Sequence, residues 1–152
     1  MKKNGVNLLQ ERDLLHRRGY KLTEQRCRVL GLLKSERKHL KAIDIHQVLR
    51  QKKHRISLAT VYRTLDLLDR MHLVRKVEMG NKPSIFEFDG ETDKKKEHLH
   101  LICRNCGRVI DIWSHQLLPL TEIERTLQKQ YNFRISNIQI TFSGSCMSCN
   151  SR

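Results

Sequence analysis

At 152 residues and 18.0 kDa the chain has room for one ordinary domain or two small ones, which excludes a large multidomain enzyme. Lys and Arg number 30 against 16 Asp and Glu, a net charge of +14 with a pI near 10.0, while 38% of the residues are hydrophobic. That apolar content is enough to fold, and so large a positive excess points to a polyanionic partner, nucleic acid first and an anionic membrane surface second.

Charge and cysteine divide the chain differently. Residues 1–90 carry 21 Lys and Arg against 10 Asp and Glu, a net +11, and residues 91–152 carry 9 against 6, a net +3. Four of the five cysteines lie in the second part. The polar run from Gly90 to Glu97 has no apolar residue and reads as a linker, giving a first domain over 1–89, the linker over 90–97 and a second domain over 98–152. No run of about 18 apolar residues is present, and the first residues lack the apolar core of a secretion signal. The expectation is a cytosolic protein with no membrane partner, whose thiols hold metal instead of pairing as disulfides.

In chain order, Leu8, Leu9, Leu14 and Leu15 suggest a short helix ended by Gly19. Thr23 is a plausible cap for a second helix, with Val29, Leu30, Leu32 and Leu33 as its apolar stripe and Cys27 as a small core residue. A third helix runs through Ala42, Ile43, Ile45, Val48 and Leu49 into the basic turn Lys52–Arg55. Ser57 caps a fourth, whose Leu58, Val61, Leu65 and Leu68 recur at three and four residues. Two alternating runs, Leu73 to Met79 and Ser84 to Phe88, flank Gly80-Asn81-Lys82-Pro83 and read as a β-hairpin. Helices followed by a hairpin in a basic chain predict a winged helix-turn-helix, with the fourth helix in the major groove of double-stranded DNA and the hairpin as the wing. Ser57, Thr60, Arg63 and Thr64 lie off the apolar stripe of that helix, beside Tyr62. Arginine pairs with guanine, hydroxyls hold phosphates and a tyrosine ring meets thymine methyls; the bland alternative is a solvated face.

Cys103-Arg104-Asn105-Cys106 and Cys146-Met147-Ser148-Cys149 are paired CxxC motifs. Each turn aims two thiolates at one tetrahedral ion, and two turns complete a closed four-thiolate shell, structural in kind and satisfied by one Zn2+ per chain. The 39 residues between them exceed the needs of a minimal zinc ribbon. They read as a strand over Arg108–Ile112, a helix from Gln116 to Tyr131 carrying Leu117, Leu120, Ile123 and Leu127, and a strand through Ile138, Ile140 and Phe142. A redox role for either CxxC lacks the expected βαβ setting. Just before the first knuckle, His98 and His100 alternate with Leu99 and Leu101, so a strand would put both imidazoles on one face, able to share a metal.

Three runs in order, Gly19-Tyr20-Lys21-Leu22-Thr23-Glu24-Gln25-Arg26, then Ser57-Leu58-Ala59-Thr60-Val61-Tyr62-Arg63-Thr64-Leu65, then His98-Leu99-His100-Leu101-Ile102-Cys103-Arg104-Asn105-Cys106-Gly107, closely resemble the ferric uptake regulator family of bacterial metal-responsive repressors. The resemblance covers about Gly19 to Cys149. It implies an α+β protein, an N-terminal winged-helix domain plus a small C-terminal α/β dimerisation domain, acting as a homodimer on an AT-rich palindromic operator when metal is loaded. The implied regulatory ligands are His39, Glu87, His98, His100 and Asp111, with Cys103, Cys106, Cys146 and Cys149 as the structural zinc site. Lys21, Arg26, Ser57, Thr60, Tyr62 and Arg63 are the implied DNA-binding set, Tyr62 and Arg63 reading bases and Lys21 reaching the minor groove.

Imidazoles and carboxylates without thiolate suit Fe(II), Mn(II), Co(II) or Zn(II) and disfavour Cu(I). Iron is the expected effector, with zinc, manganese or peroxide sensing as alternatives within the family. The chain departs from the family pattern at Glu97 and Leu99, where many members have a histidine and an acidic residue, and near Leu118 and Ile138, so a third metal site is expected to be missing. Outside the family, the rival is a zinc-stabilised nucleic-acid-binding protein without sensing. A metal-dependent hydrolase would need an open coordination position and a positioned base, for which no signature is present, so no enzyme is expected.

Overall fold

The computed structural model describes residues 7–36, 38–89, 98–113, 120–135, 138 and 140–150. The chain divides into two compact units, 1–93 and 94–152.

The first unit holds α1 (Leu9–Arg17), α2 (Glu24–Glu36), β1 (Leu40–Lys41), α3 (Ala42–Gln51), α4 (Leu58–Arg70), β2 (Val74–Met79) and β3 (Lys82–Phe88). A continuous apolar cluster joins Leu15 of α1, Leu30 and Leu33 of α2, Ile45 and Leu49 of α3, Val61, Leu65 and Leu68 of α4, and Val74 and Phe86 of the hairpin. Helix ends are set by local chemistry. Ser57 Oγ accepts the amide of Thr60 at 3.1 Å, capping α4, and Asp44 does the same for Lys41 N at 3.2 Å ahead of α3. Gly19 closes α1 at φ +78°, its amide donating to His16 O and the next amide, Tyr20 N, to Leu15 O, a pattern that needs the left-handed conformation glycine adopts without strain. Inside the unit, Glu11 is buried and meets Lys34 Nζ at 2.5 Å, and the same ammonium lies 5.3 Å from the centre of the Phe88 ring, tying α1, α2 and the end of β3 together.

Four details differ from expectation, the first being that Thr64, read as lying off the apolar stripe of α4, is buried with Val61, Leu65 and Leu68. β1 is an extra two-residue strand that no alternation announced; it pairs antiparallel with β3, giving the sheet order β1-β3-β2. The hairpin loop is only Gly80-Asn81, because Met79 pairs with Lys82, and the strand includes Pro83, which sits opposite the register irregularity between Val77 and Met79, where a proline is tolerated. Ile43, assigned to the stripe of α3, is 40% exposed.

The second unit holds β4 (His98–Cys103), β5 (Val109–Trp113), α5 (Leu120–Tyr131), β6 (Thr141–Gly144) and the one-turn α6 (Met147–Asn150). Its sheet has the order β5-β4-β6, with β4 antiparallel to β5 and parallel to β6. The first part of the expected helix, residues 116–119, lies outside the described residues, and α5 starts directly after Pro119, a residue that only the first turn of a helix tolerates. The last strand begins later than expected: Ile138 and Ile140 precede it, both half-buried, and Ile140 O accepts the amide of His100 at 3.2 Å.

Rows across this sheet alternate in character. Ile110, Leu101 and Phe142 are registered neighbours and stay 39%, 38% and 50% exposed, an apolar row open to solvent in the single chain. The adjacent row pairs Asp111 with His100, which is fully buried. On α5, Ile123, Leu127 and Tyr131 recur every four residues and are likewise exposed. Among the described residues no helix is long and apolar enough to cross a membrane.

Candidate metal centres and nucleic-acid interface

Parallel pairing of β4 and β6 sets Cys103 against Gly144, so the two CxxC turns leave the sheet side by side. Their four sulfurs lie within 4.8 Å of one another, and Cys106 Sγ is 3.8 Å from Cys146 Sγ, far beyond a disulfide bond and fitted to a tetrahedral ion. The amide of Cys146 donates to Cys103 Sγ at 3.3 Å. This bond, followed by those from Cys106 and Asn105, lowers the Cys103 thiol to about 5. Cys149 moves the opposite way, to about 12, because it shares hydrogen bonds first with Cys146 and then with Cys106, and four thiolates cannot accumulate at one point without a cation. The donor set therefore fits zinc, which the four sulfurs would hold as thiolates. Cys27 stands apart, half-buried in α2 with Sγ 3.7 Å from Leu22 O, its thiol raised by burial, as befits a small packing residue.

Each unit separately presents one imidazole beside one carboxylate. In the first, β1 pairs Leu40 with Phe86, and extending that register by one residue sets His39 opposite Glu87; His39 Nε2 lies 3.1 Å from Glu87 Oε2, both half-buried or deeper. In the second, His100 and Asp111 are directly paired across β4 and β5, with Nε2 3.8 Å from Oδ1. His98 occupies the equivalent place two residues earlier, paired through its backbone with Trp113, and its side chain lies outside the described residues. Leu99 is buried, and Leu118 lies outside the described residues.

The outer face of α4 carries Tyr62, 44% exposed, and exposed Arg63. Ser57 and Thr60 sit at its N-terminus, their hydroxyls 2.9 Å apart. Lys21 is exposed in the loop before α2. One guanidinium nitrogen of Arg26 donates to Lys21 O at 2.6 Å, bracing the loop that carries Lys21. Behind α4's start, a cavity of about 500 Å³ is lined by His46, Arg50, Lys53, His54, Arg55 and Ile56, a strongly positive concavity. Burial, then the nearby Arg28 guanidinium, lowers the His54 pKa below that of an ordinary histidine.

Sequence reasoning missed one charged group beside the first unit's pair. Arg75, opposite Glu87 in the β2–β3 register, grips Asp89 with two nitrogens (Nη2–Oδ1 3.0 Å, Nε–Oδ2 3.3 Å) and lies 3.7 Å from Glu87 Oε1. The signal was available once the hairpin register was known, since Arg75 and Glu87 are cross-strand partners.

The sequence profile of the Ferric uptake regulator family matches residues 17–143. The chain is 37% identical over 139 residues to the ferric uptake regulation protein of Bacillus subtilis, covering 91% of each chain. It is 31% identical to the peroxide-responsive repressor PerR of Staphylococcus aureus over 135 residues, covering 89% of this chain and 86% of that one. A solved zinc uptake regulator, in complex with zinc and DNA, superimposes with a TM-score of 0.60 at 28% identity, covering 99% of this chain and 97% of the other.

Proposed function

This chain belongs to the ferric uptake regulator family, transcription regulators and not enzymes, and from that premise we propose that it is a metal-dependent repressor that binds its operator as a homodimer when a regulatory ion is in place. The observation that carries the reading is the duplicated half-set: His39 with Glu87 in the winged-helix unit, and buried His100 with Asp111 in the other, each an imidazole and a carboxylate brought together by strand register. With His98 they form a ligand set free of thiolate, suited to Fe(II), Mn(II), Co(II) or Zn(II). Iron is the effector we assign, supported by likeness to the Bacillus subtilis protein. These residues would hold a divalent ion, which would supply the positive charge that the carboxylates and imidazoles are suited to receive. To shift a population from 1:99 to 99:1 in favour of the DNA-binding arrangement, its preference for that arrangement must reach about 5.5 kcal/mol.

The chain's own residues divide the remaining work. Tyr62 and Arg63 on the open face of α4 contact base edges, the Ser57 and Thr60 hydroxyls hold a phosphate at its N-terminus, and Lys21, braced by Arg26, reaches the minor groove of an AT-rich palindrome. The four thiolates hold a structural Zn2+. The second copy covers the apolar faces that one chain leaves open, Ile110, Leu101 and Phe142 on the sheet and Ile123, Leu127 and Tyr131 on α5. Mobility-shift titration of an AT-rich palindrome with iron-loaded and with chelated protein tests the proposal; equal affinity in the two states refutes sensing. The PerR likeness favours one second reading, peroxide response, in which peroxide releases the metal-loaded protein from DNA.

A further inference from the structure

Glu87 stands in the middle of a cross-strand row on the sheet of the winged-helix unit, with His39 on one side at 3.1 Å and Arg75 on the other at 3.7 Å. A guanidinium beside a carboxylate intended for a divalent cation opposes the ion it must admit. Its nitrogens are committed elsewhere: the forked bonds of Arg75 at 3.0 and 3.3 Å go to Asp89, which is itself fixed through its amide to Leu73 O at 3.0 Å. The Nε to Glu87 distance is beyond hydrogen-bond range, so Arg75 acts on Glu87 by charge more than by orienting it. Only 15% of the Arg75 side chain is exposed, which limits screening by solvent.

We infer that the Arg75–Asp89 pair sets the free-metal threshold of the site that includes His39 and Glu87. Arg75 lowers the affinity for a dication, Asp89 cancels much of that charge, and the balance fixes the concentration at which the site fills. The inference deepens the regulatory-site reading and rests on it. It makes two neighbouring substitutions act in opposite directions. Arg75→Gln removes the opposing cation and leaves Asp89 as an added negative charge, tightening metal binding about tenfold. Asp89→Asn leaves Arg75 uncompensated and weakens it about tenfold, the range in which groups just behind metal ligands act. Arg75→Lys keeps the charge and stays near wild type.

The experiment uses the full chain with its thiol site filled by zinc and titrates Co(II), read by visible absorption and by chelator competition, with thermal unfolding recorded for each variant. His39→Ala is the control for the site itself. Support is loss of Co(II) binding in His39→Ala together with shifts of opposite sign for Arg75→Gln and Asp89→Asn. If Co(II) binding survives His39→Ala, the ligand assignment falls and the inference with it. If His39→Ala abolishes binding but the two flanking variants move together, or not at all, the ligand assignment stands and the threshold role is overturned, Arg75 then being a strut whose loss shows only in the unfolding temperature.

Discussion

Replacing Cys106 by serine should unfold the second unit while leaving the first intact. Among the described residues of the second unit, the deeply buried apolar side chains are Leu99, Ile102 and Cys103, alongside the imidazole of His100. At about 2–3 kcal/mol for each fully buried Leu or Ile, these supply on the order of 5 kcal/mol before the entropy of ordering the chain is subtracted. β6 is exposed at all four positions, and α6 is a single turn. A four-thiolate zinc site contributes roughly 10–16 kcal/mol at neutral pH, so the ion outweighs the burial of those described side chains two- to threefold. The first unit needs no such aid, since its cluster runs from Leu15 to Phe86 through four helices and the hairpin. Trp113 is the single tryptophan and lies on β5, so its emission reports the second unit alone. Cys106→Ser should lose its zinc, show an altered emission at ambient temperature, and keep the helical signal and cooperative melt of the first unit, compared at one protein concentration because the proposed dimer would add burial. A zinc-free variant whose emission and second melting step match wild type would refute the argument and show that apolar packing suffices.

Three further outcomes are expected. Arg63→Ala should weaken operator binding by about 1–3 kcal/mol and relax specificity at one base position while metal content stays unchanged; a uniform loss across sequences with a shallower salt dependence would make Arg63 a phosphate contact instead. Lys34→Met strands the buried Glu11 carboxylate and removes the cation facing Phe88, so chemical denaturation of the first unit should show a loss of about 3 kcal/mol, and a loss under about 0.5 kcal/mol would mean the pair is effectively solvated. Acid should strip the thiol site. Cys103 titrates at about 5, below an ordinary thiol, so its stabilising charge is fully present above the ordinary thiol range and is lost as pH falls through about 5; Cys149, held up at about 12 without metal, must surrender a proton for every ion bound. Zinc release followed with a chromogenic chelator should therefore rise as pH is lowered, because protons compete with the ion for the thiolates, and release that does not depend on pH contradicts the thiolate assignment.

Legibility in the sequence follows the range of the interaction. Local rules reach the Ser57 cap, the Gly19 stop and the stripe of α4, because each is decided within one or two helical turns. The CxxC turns are equally local, and only the parallel pairing of β4 with β6, which lays Cys103 beside Gly144, needed three dimensions. The alternation of His98 to Leu101 forecast two unlike faces; sheet register sets His100 beside Asp111 and Leu101 beside Ile110 and Phe142, while Leu99 is buried although Leu101 is exposed. β1 stayed invisible because two residues carry no period; it exists because β3 offers an open edge, and its effect is to bring His39 to Glu87. Arg75 was hidden for a related reason, since nothing in its sequence neighbourhood distinguishes it from the many other basic residues of the chain. Charge counted along the sequence points outward, towards DNA. Charge placed by strand register points inward at Arg75, onto the carboxylate of Glu87, and there the same positive excess that favours the polyanion would work against the metal proposed to license its binding.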